Sequence, residues 1–159
     1  LDDNPRRLWI KRQHPDFFIA RHDLDVERRK CQCIGNLFLL NIPDKAAVIV
    51  HSRYTEEEKA KLKTEWLACG ERGGVLVCTG IAPKEKEIMH IAMERGYRVI
   101  QLLENGFPPL YKPMGQSFYA CAAGKLLQIS PWEYHMEKKS ITRAQCLELN
   151  ALAENISLH

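Results

Sequence analysis

From residue 35 onward, short apolar runs alternate with longer stretches of helical periodicity. The runs are Ala46-Ala47-Val48-Ile49-Val50, Val75-Leu76-Val77-Cys78, Tyr97-Arg98-Val99-Ile100-Gln101-Leu102 and Leu126-Leu127-Gln128-Ile129. Runs of this length, rich in β-branched residues, predict strands covered on both faces, as in a parallel sheet. Thr55 with Glu58 three residues on forms a capping box. Ala60, Leu62, Trp66 and Leu67 give the following helix its apolar face, and Gly73-Gly74 ends it. Pro83 suits the first turn of a second helix, with Ile88, Ile91 and Ala92 as its inner stripe and Gly96 as its end. A long loop through Asn105-Gly106 and Pro108-Pro109 reaches Pro113. A small-residue helix is predicted over 118–123, closed by Gly124. After a polar loop over 133–140, a last helix is expected from 141 to about 155. Ile156-Ser157-Leu158 then reads as the opening of a fifth strand.

Strict alternation with helix-length crossovers predicts an α/β fold, a Rossmann-like three-layer sandwich with a mostly parallel central sheet. Residues 35–159 carry that pattern. Gly35-Asn36 breaks the chain ahead of it, and Leu37 to Leu40 form a short apolar piece closed by Pro43. Residues 1–34 read as a charged N-terminal extension, one helix and one short extended piece. Its basic groups Arg6-Arg7, Lys11-Arg12 and Arg28-Arg29-Lys30 are interleaved with acids, and Trp9, Ile10, Phe17, Phe18 and Ile19 are apolar anchors. A solvated face is the plain account of those basic groups.

Composition narrows the function classes. The 159 residues are 45% hydrophobic and 27% charged, with a net charge of +3, so any polyanion site must be local rather than a histone-like surface. The six cysteines (31, 33, 69, 78, 121 and 146) fall in predicted strands and helices of a chain able to build a core. They read as free thiols in a reducing compartment. Cys31-Gln-Cys33 has no second pair to complete a metal site, so no metal and no other cofactor is expected. No apolar run approaches the ~20 residues of a membrane helix and no signal peptide pattern opens the chain, which points to the cytoplasm. Leu1 at the start and His159 at the end suggest trimmed termini.

In open parallel sheets the ligand lies beyond the carboxyl ends of the strands at a switch point. With the first strand central, that switch would lie between it and the fourth. His51-Ser52-Arg53-Tyr54 and Ser130-Pro131-Trp132 would then face each other, with Thr79-Gly80-Ile81-Ala82 alongside. The chemistry suits a phosphate. Ser52, Thr79 and Ser130 offer hydroxyls, Gly80 permits close backbone approach, and Arg53 can fork two hydrogen bonds onto phosphate oxygens. Lys84 stands where a cation opposes a helix dipole unless an anion is bound. Arg143 and Asn150, seven apart, project from one side of the last helix, and Tyr54 and Trp132 are candidate stacking surfaces. Each has a plain alternative: Ser52 as a turn residue, Arg53 as an ion-pair partner, Lys84 on a solvated face, Arg143 and Asn150 as structural, the aromatics as loop anchors.

Several constellations are missing. The sequence holds no G-x-G-x-x-G after the first strand, no G-x-x-x-x-G-K-[ST] and no G-x-S-x-G. His51, His90 and His135 are scattered, and no catalytic residue is assigned.

Gly35-Asn36, Leu39-Leu40, Val48-Ile49-Val50-His51-Ser52-Arg53 and Val77-Cys78-Thr79-Gly80-Ile81-Ala82 together resemble the DNA-processing protein A (DprA, or Smf) family. That family lies within the SLOG group of Rossmann-like nucleotide-binding domains. The likeness follows Val99 to Leu102 and Gly106, and ends on the segment around Asn150, covering about residues 35–158. His51 stands where the family has the glycine of Gly-Ser-Arg. Ala82-Pro83-Lys84-Glu85-Lys86 replaces a Gly-Ile-Asp stretch, and Leu149 stands where an arginine precedes the asparagine. The resemblance implies non-catalytic binding of single-stranded DNA, delivered to a recombinase. Helix faces left free could pair in a homodimer. Two other readings stay open: a sensor domain for a free nucleotide-derived ligand, and an enzyme of the nucleoside-monophosphate phosphoribohydrolase type, whose Pro-Gly-Gly signature is missing here.

Overall fold

The computed structural model describes residues 4–13 and 15–159. Six strands form one sheet in the order β1-β2-β6-β5-β4-β3. The parallel part is β3 (Lys45–Val48), β4 (Val75–Cys78), β5 (Arg98–Leu102) and β6 (Leu126–Ser130). Neighbours are in register at Val48↔Cys78, Cys78↔Gln101 and Gln101↔Gln128. Helices α2 (Glu56–Glu71), α3 (Pro83–Glu94) and α4 (Gln116–Ala122) connect them. Both faces are covered, which is why β4 reads as an unbroken apolar run and every residue of β6 is buried, Gln128 and Ser130 included. On one face Leu76, Cys78, Val99 and Leu126 meet Trp66 and Cys69 of α2, Ile88 and Ala92 of α3, and Phe118 and Cys121 of α4. On the other, Val75, Val77, Ile100, Leu102, Leu127 and Ile129 meet Leu149, Leu152, Ala153 and Ile156 of α5 (Arg143–Leu158). The protein is therefore α/β with a mixed six-stranded sheet.

Three differences from the sequence reading matter. First, β3 lies at an edge of the sheet, not at its centre. Successive crossovers with all three helices on one face advance the sheet in a single direction, so strand order never reverses between β3 and β6. The switch point expected between them is not there. The β3 and β6 tips stand three strands apart, roughly 14 Å at the usual spacing of neighbouring strands.

Second, residues ahead of position 35 do more than extend the domain. After α1 (Asn4–Gln13) and a 3-10 turn (Pro15–Phe18), β1 (Arg21–Val26) and β2 (Arg29–Gly35) form an antiparallel hairpin. β2 pairs antiparallel with β6, so the boundary expected at 34/35 falls inside a strand. Gly35 ends that strand at φ +124, and a Cβ there would stand 2.3 Å from the Leu126 carbonyl oxygen. The hairpin also reaches α5. Arg29 pairs with Glu148 at 3.3 Å and lies over the Trp132 ring at 5.2 Å.

Third, Ile156-Ser157-Leu158 does not open a strand. α5 continues through Leu158 because Ile156, on the same helical stripe as Leu149, Leu152 and Ala153, is buried against the sheet. All six cysteines are free thiols. Among the described residues no helix is long and apolar enough to cross a membrane, and no group of His, Cys, Asp or Glu could hold a metal ion.

Candidate functional site

The segment after β3 turns sharply at His51-Ser52-Arg53-Tyr54, closed by a hydrogen bond from the Tyr54 N–H to the His51 carbonyl at 3.1 Å. It stands among the N-terminal ends of α2, α3 and α5, each of which offers free backbone N–H groups and a positive dipole end. Those three ends are satisfied differently. α2 carries Glu56, Glu57 and Glu58 in its first turn, and its Thr55–Glu58 capping box is complete. α3 has Glu85. α5 also has a complete capping box, Thr142 with Gln145, but no acid in its first turn, which begins with Arg143.

Glu85 is the feature that the residue pattern hides. It is only 3% exposed, yet its carboxylate accepts four hydrogen bonds from two segments, Val50 and the stretch 79–82. Oε2 takes the Val50 N–H at 2.8 Å. Oε1 takes the Thr79 hydroxyl at 2.9 Å, the Ile81 N–H at 3.0 Å and the Ala82 N–H at 3.2 Å. A buried carboxylate is tolerated only when its lone pairs are filled in this way. Thr79 and the backbone beyond Gly80 (φ +61) are thus engaged by the protein's own anion. A usable signal was present in the sequence: a glutamate at the third position of a helix that starts at Pro83 sits where N-terminal N–H groups converge.

The turn at 51–53 divides the surface into two clefts. On the α3 side a cleft of about 580 Å³ is lined by Val50, His51, Ser52, Lys59, Ala82, Pro83, Lys84 and Glu87. Its cations already have partners: Lys84 meets Glu87 at 2.9 Å, and Lys59 meets Glu56 at 3.3 Å. The Lys84 ammonium holds the Glu87 carboxyl below the usual carboxylate range.

On the α5 side a cleft of about 330 Å³ is lined by Val50, His51, Ser52, Arg53, Arg143, Cys146, Leu147 and Asn150. Here neither arginine has a carboxylate within salt-bridge distance among the described residues. Arg53 instead lies over the Tyr54 ring at 5.8 Å, and the His51 ring meets Tyr54 edge-on at 5.1 Å. Asn150 Oδ1 is buried without a hydrogen-bond partner.

Of the residues singled out in the sequence, Ser52, Arg53, Arg143 and Asn150 line one cleft, with Tyr54 beside Arg53. Lys84 shares only Ser52's other flank. Ser130 and Trp132 are not brought to either cleft. Ser130 is fully buried, and its hydroxyl is engaged with the Trp132 backbone. The β5–α4 loop lies over that tip: the Phe107 N–H donates to Gln32 Oε1 at 2.7 Å, and a Cβ on Gly106 would meet the Trp132 carbonyl oxygen at 2.6 Å. Cys146 and Leu147, not singled out in the sequence, complete the α5-side cleft because they lie one turn below Arg143.

No family model matches the sequence, and no curated protein matches it. Among solved structures, the chain is similar in fold to DNA processing protein A from Helicobacter pylori, described for its single-stranded DNA binding mode. The TM-score is 0.55 at 23% identity, over 80% of this chain and 57% of that one, so this chain spans little more than half of its structural neighbour.

Proposed function

We propose that the protein binds the phosphates of single-stranded nucleic acid on the α5 side of the His51-Ser52-Arg53 turn, without catalysis. The observation that carries this is the pair Arg53 and Arg143, which line one cleft with no carboxylate among the described residues to neutralise them, at a helix end without an acid in its first turn. Arg143 at the start of α5 is unfavourable against the helix dipole, and a bound anion reverses the sign of that arrangement. Guanidinium groups recognise phosphate oxygens bidentately. Tyr54 adds an aromatic face next to Arg53, the combination single-strand binders use for a base adjoining a phosphate.

The fold shared with DNA processing protein A, whose structure is described for single-stranded DNA binding, supports the same ligand class. The layering on both sheet faces is, in this reading, of Rossmann type. A cleft of about 330 Å³ with an unpartnered Asn150 oxygen also suits a free mononucleotide whose hydroxyl or amino group donates to it, which is the sensor reading.

Fluorescence polarisation of a labelled oligodeoxythymidine at low salt tests the proposal. Charge-assisted hydrogen bonds of this kind contribute about 1.5–3 kcal/mol, so Arg53→Ala and Arg143→Ala should each weaken binding by about tenfold or more. Folded variants with wild-type affinity overturn it. A mononucleotide that raises Tm while the oligonucleotide fails to bind selects the sensor reading.

A further inference from the structure

We infer that Glu85, which lines neither the α5-side cleft nor any contact with a ligand there, is the residue that positions the His51-Ser52-Arg53 turn and restricts the anion to its α5 side. The inference rests on the proposed phosphate site for its ligand and on the hydrogen bonds of Glu85 for its mechanism.

The turn is attached to β3 through Val50, and the Val50 N–H is the donor that Glu85 Oε2 takes at 2.8 Å across 35 residues of sequence. The other carboxylate oxygen is fixed by Thr79, Ile81 and Ala82, all at the tip of β4 and the start of α3. One buried side chain therefore ties the segment carrying Ser52 and Arg53 to the rigid neighbouring strand and helix. A donor held in place before the ligand arrives costs less to organise when it binds.

The same four bonds settle selectivity between the two flanks. The N–H groups of Ile81 and Ala82 at the α3 end are consumed internally, and the carboxylate presents negative charge beside them. A phosphate on the α3 side would meet paired lysines, the Glu87 carboxylate and two N–H groups already taken by Glu85, whereas on the α5 side it meets two arginines that form no ion pair among the described residues. Glu85 is thus a positioning residue and not part of the binding surface.

Glu85→Gln keeps the volume and one acceptor oxygen but turns an NH2 toward one of the four donors. Its effect on oligodeoxythymidine binding should be about tenfold in the wild-type background and less than twofold in Arg53→Ala, because the loss passes through Arg53. Glu94→Gln, exposed at the far end of α3, is the control and should change neither affinity nor Tm. Additive losses in the double variant overturn the inference by making Glu85 a merely structural residue.

Hydrogen exchange supplies a second arm that needs no ligand. In Glu85→Gln the Val50 amide should exchange at least tenfold faster, while amides in the middle of β4 keep their wild-type rates. Uniform acceleration, or none, overturns the positioning role. If the wild-type chain binds no oligonucleotide, the phosphate proposal falls, and the exchange pattern alone decides whether Glu85 holds the turn.

Discussion

The Thr79 hydroxyl donates to Glu85 Oε1 at 2.9 Å, so the hydroxyl that follows β4 at the strand tip is bonded to the protein itself. Both groups are buried, and removing one leaves the other short of a partner. Thr79→Val, which preserves shape, should destabilise the protein by about 1–3 kcal/mol. At this chain length each kcal/mol lowers Tm by about 2–4 °C, readable by calorimetry. Oligonucleotide affinity should fall far less than in Arg143→Ala; an equal fall would return Thr79 to the binding surface.

Cys146 is the half-buried thiol, and it lines the cleft with Arg53 and Arg143, whereas the other five are buried. Burial pushes Cys31 up to about 11 and Cys121 up to about 12, which keeps them unreactive thiols at neutral pH. Native protein treated with iodoacetamide at pH 7.5 should therefore be alkylated first at Cys146, as read by peptide mass spectrometry. Saturating oligonucleotide should slow that reaction several-fold, and an unchanged rate would place the ligand elsewhere.

The buried thiols also set an alkaline limit. Cys33 is raised from 9.0 to about 12 by burial first and by neighbouring Cys31 second. Between those values the folded state holds a proton that the unfolded state has released, so stability falls as pH rises through this window and is undiminished below it. Urea unfolding at pH 8 and pH 10.5 should show the loss, and Cys33→Ala should reduce the difference between the two. A pH difference unaltered by that substitution would count against the buried-thiol account.

The hairpin shows why part of the fold was hidden. Val26 pairs with Arg29 across Glu27 and Arg28, whose φ angles are +50 and +64, the signature of a type I′ turn. Such turns are normally announced by Asn-Gly or Asp-Gly, and here the two positions are charged. β1 is an edge strand with most of its residues exposed, so Arg21-His22-Asp23-Leu24-Asp25-Val26 lacks an apolar alternation to read. By contrast, β4, β6 and the capped start of α2 were legible, because burial on both faces and a capping box leave local marks. Arg28→Gly should relieve the left-handed strain and stabilise the protein by about 1 kcal/mol, raising Tm by a few degrees. A lowered Tm would mean that the Arg28 side chain contributes more than its backbone costs.

The candidate site was legible in its residues but not in its arrangement. Ser52, Arg53, Arg143 and Asn150 do line one cleft, because α5 returns across the sheet to pack beside β3. Ser130 and Trp132 were grouped with them on the premise of a central first strand, and strand order is a property of crossover direction that no local residue pattern reports. Glu85 is visible as part of a charged run, Lys84-Glu85-Lys86-Glu87, in which it is buried, Lys84 half-buried and the other two exposed. Its place at the third position of a helix that opens at Pro83 is the local mark that sets it apart, and the packing shows what it holds.

The most direct measurement is an amide chemical-shift titration of the isotopically labelled protein with a 5′-phosphorylated oligodeoxythymidine. The account predicts shifts centred on Ser52, Arg53, Arg143 and Ala144, with Ile81 and Ala82 little changed. Shifts concentrated at Ile81, Ala82 and Lys84 would put the phosphate on the wrong flank, and shifts around Asn36 and Lys125 would move the site to the opposite end of the sheet.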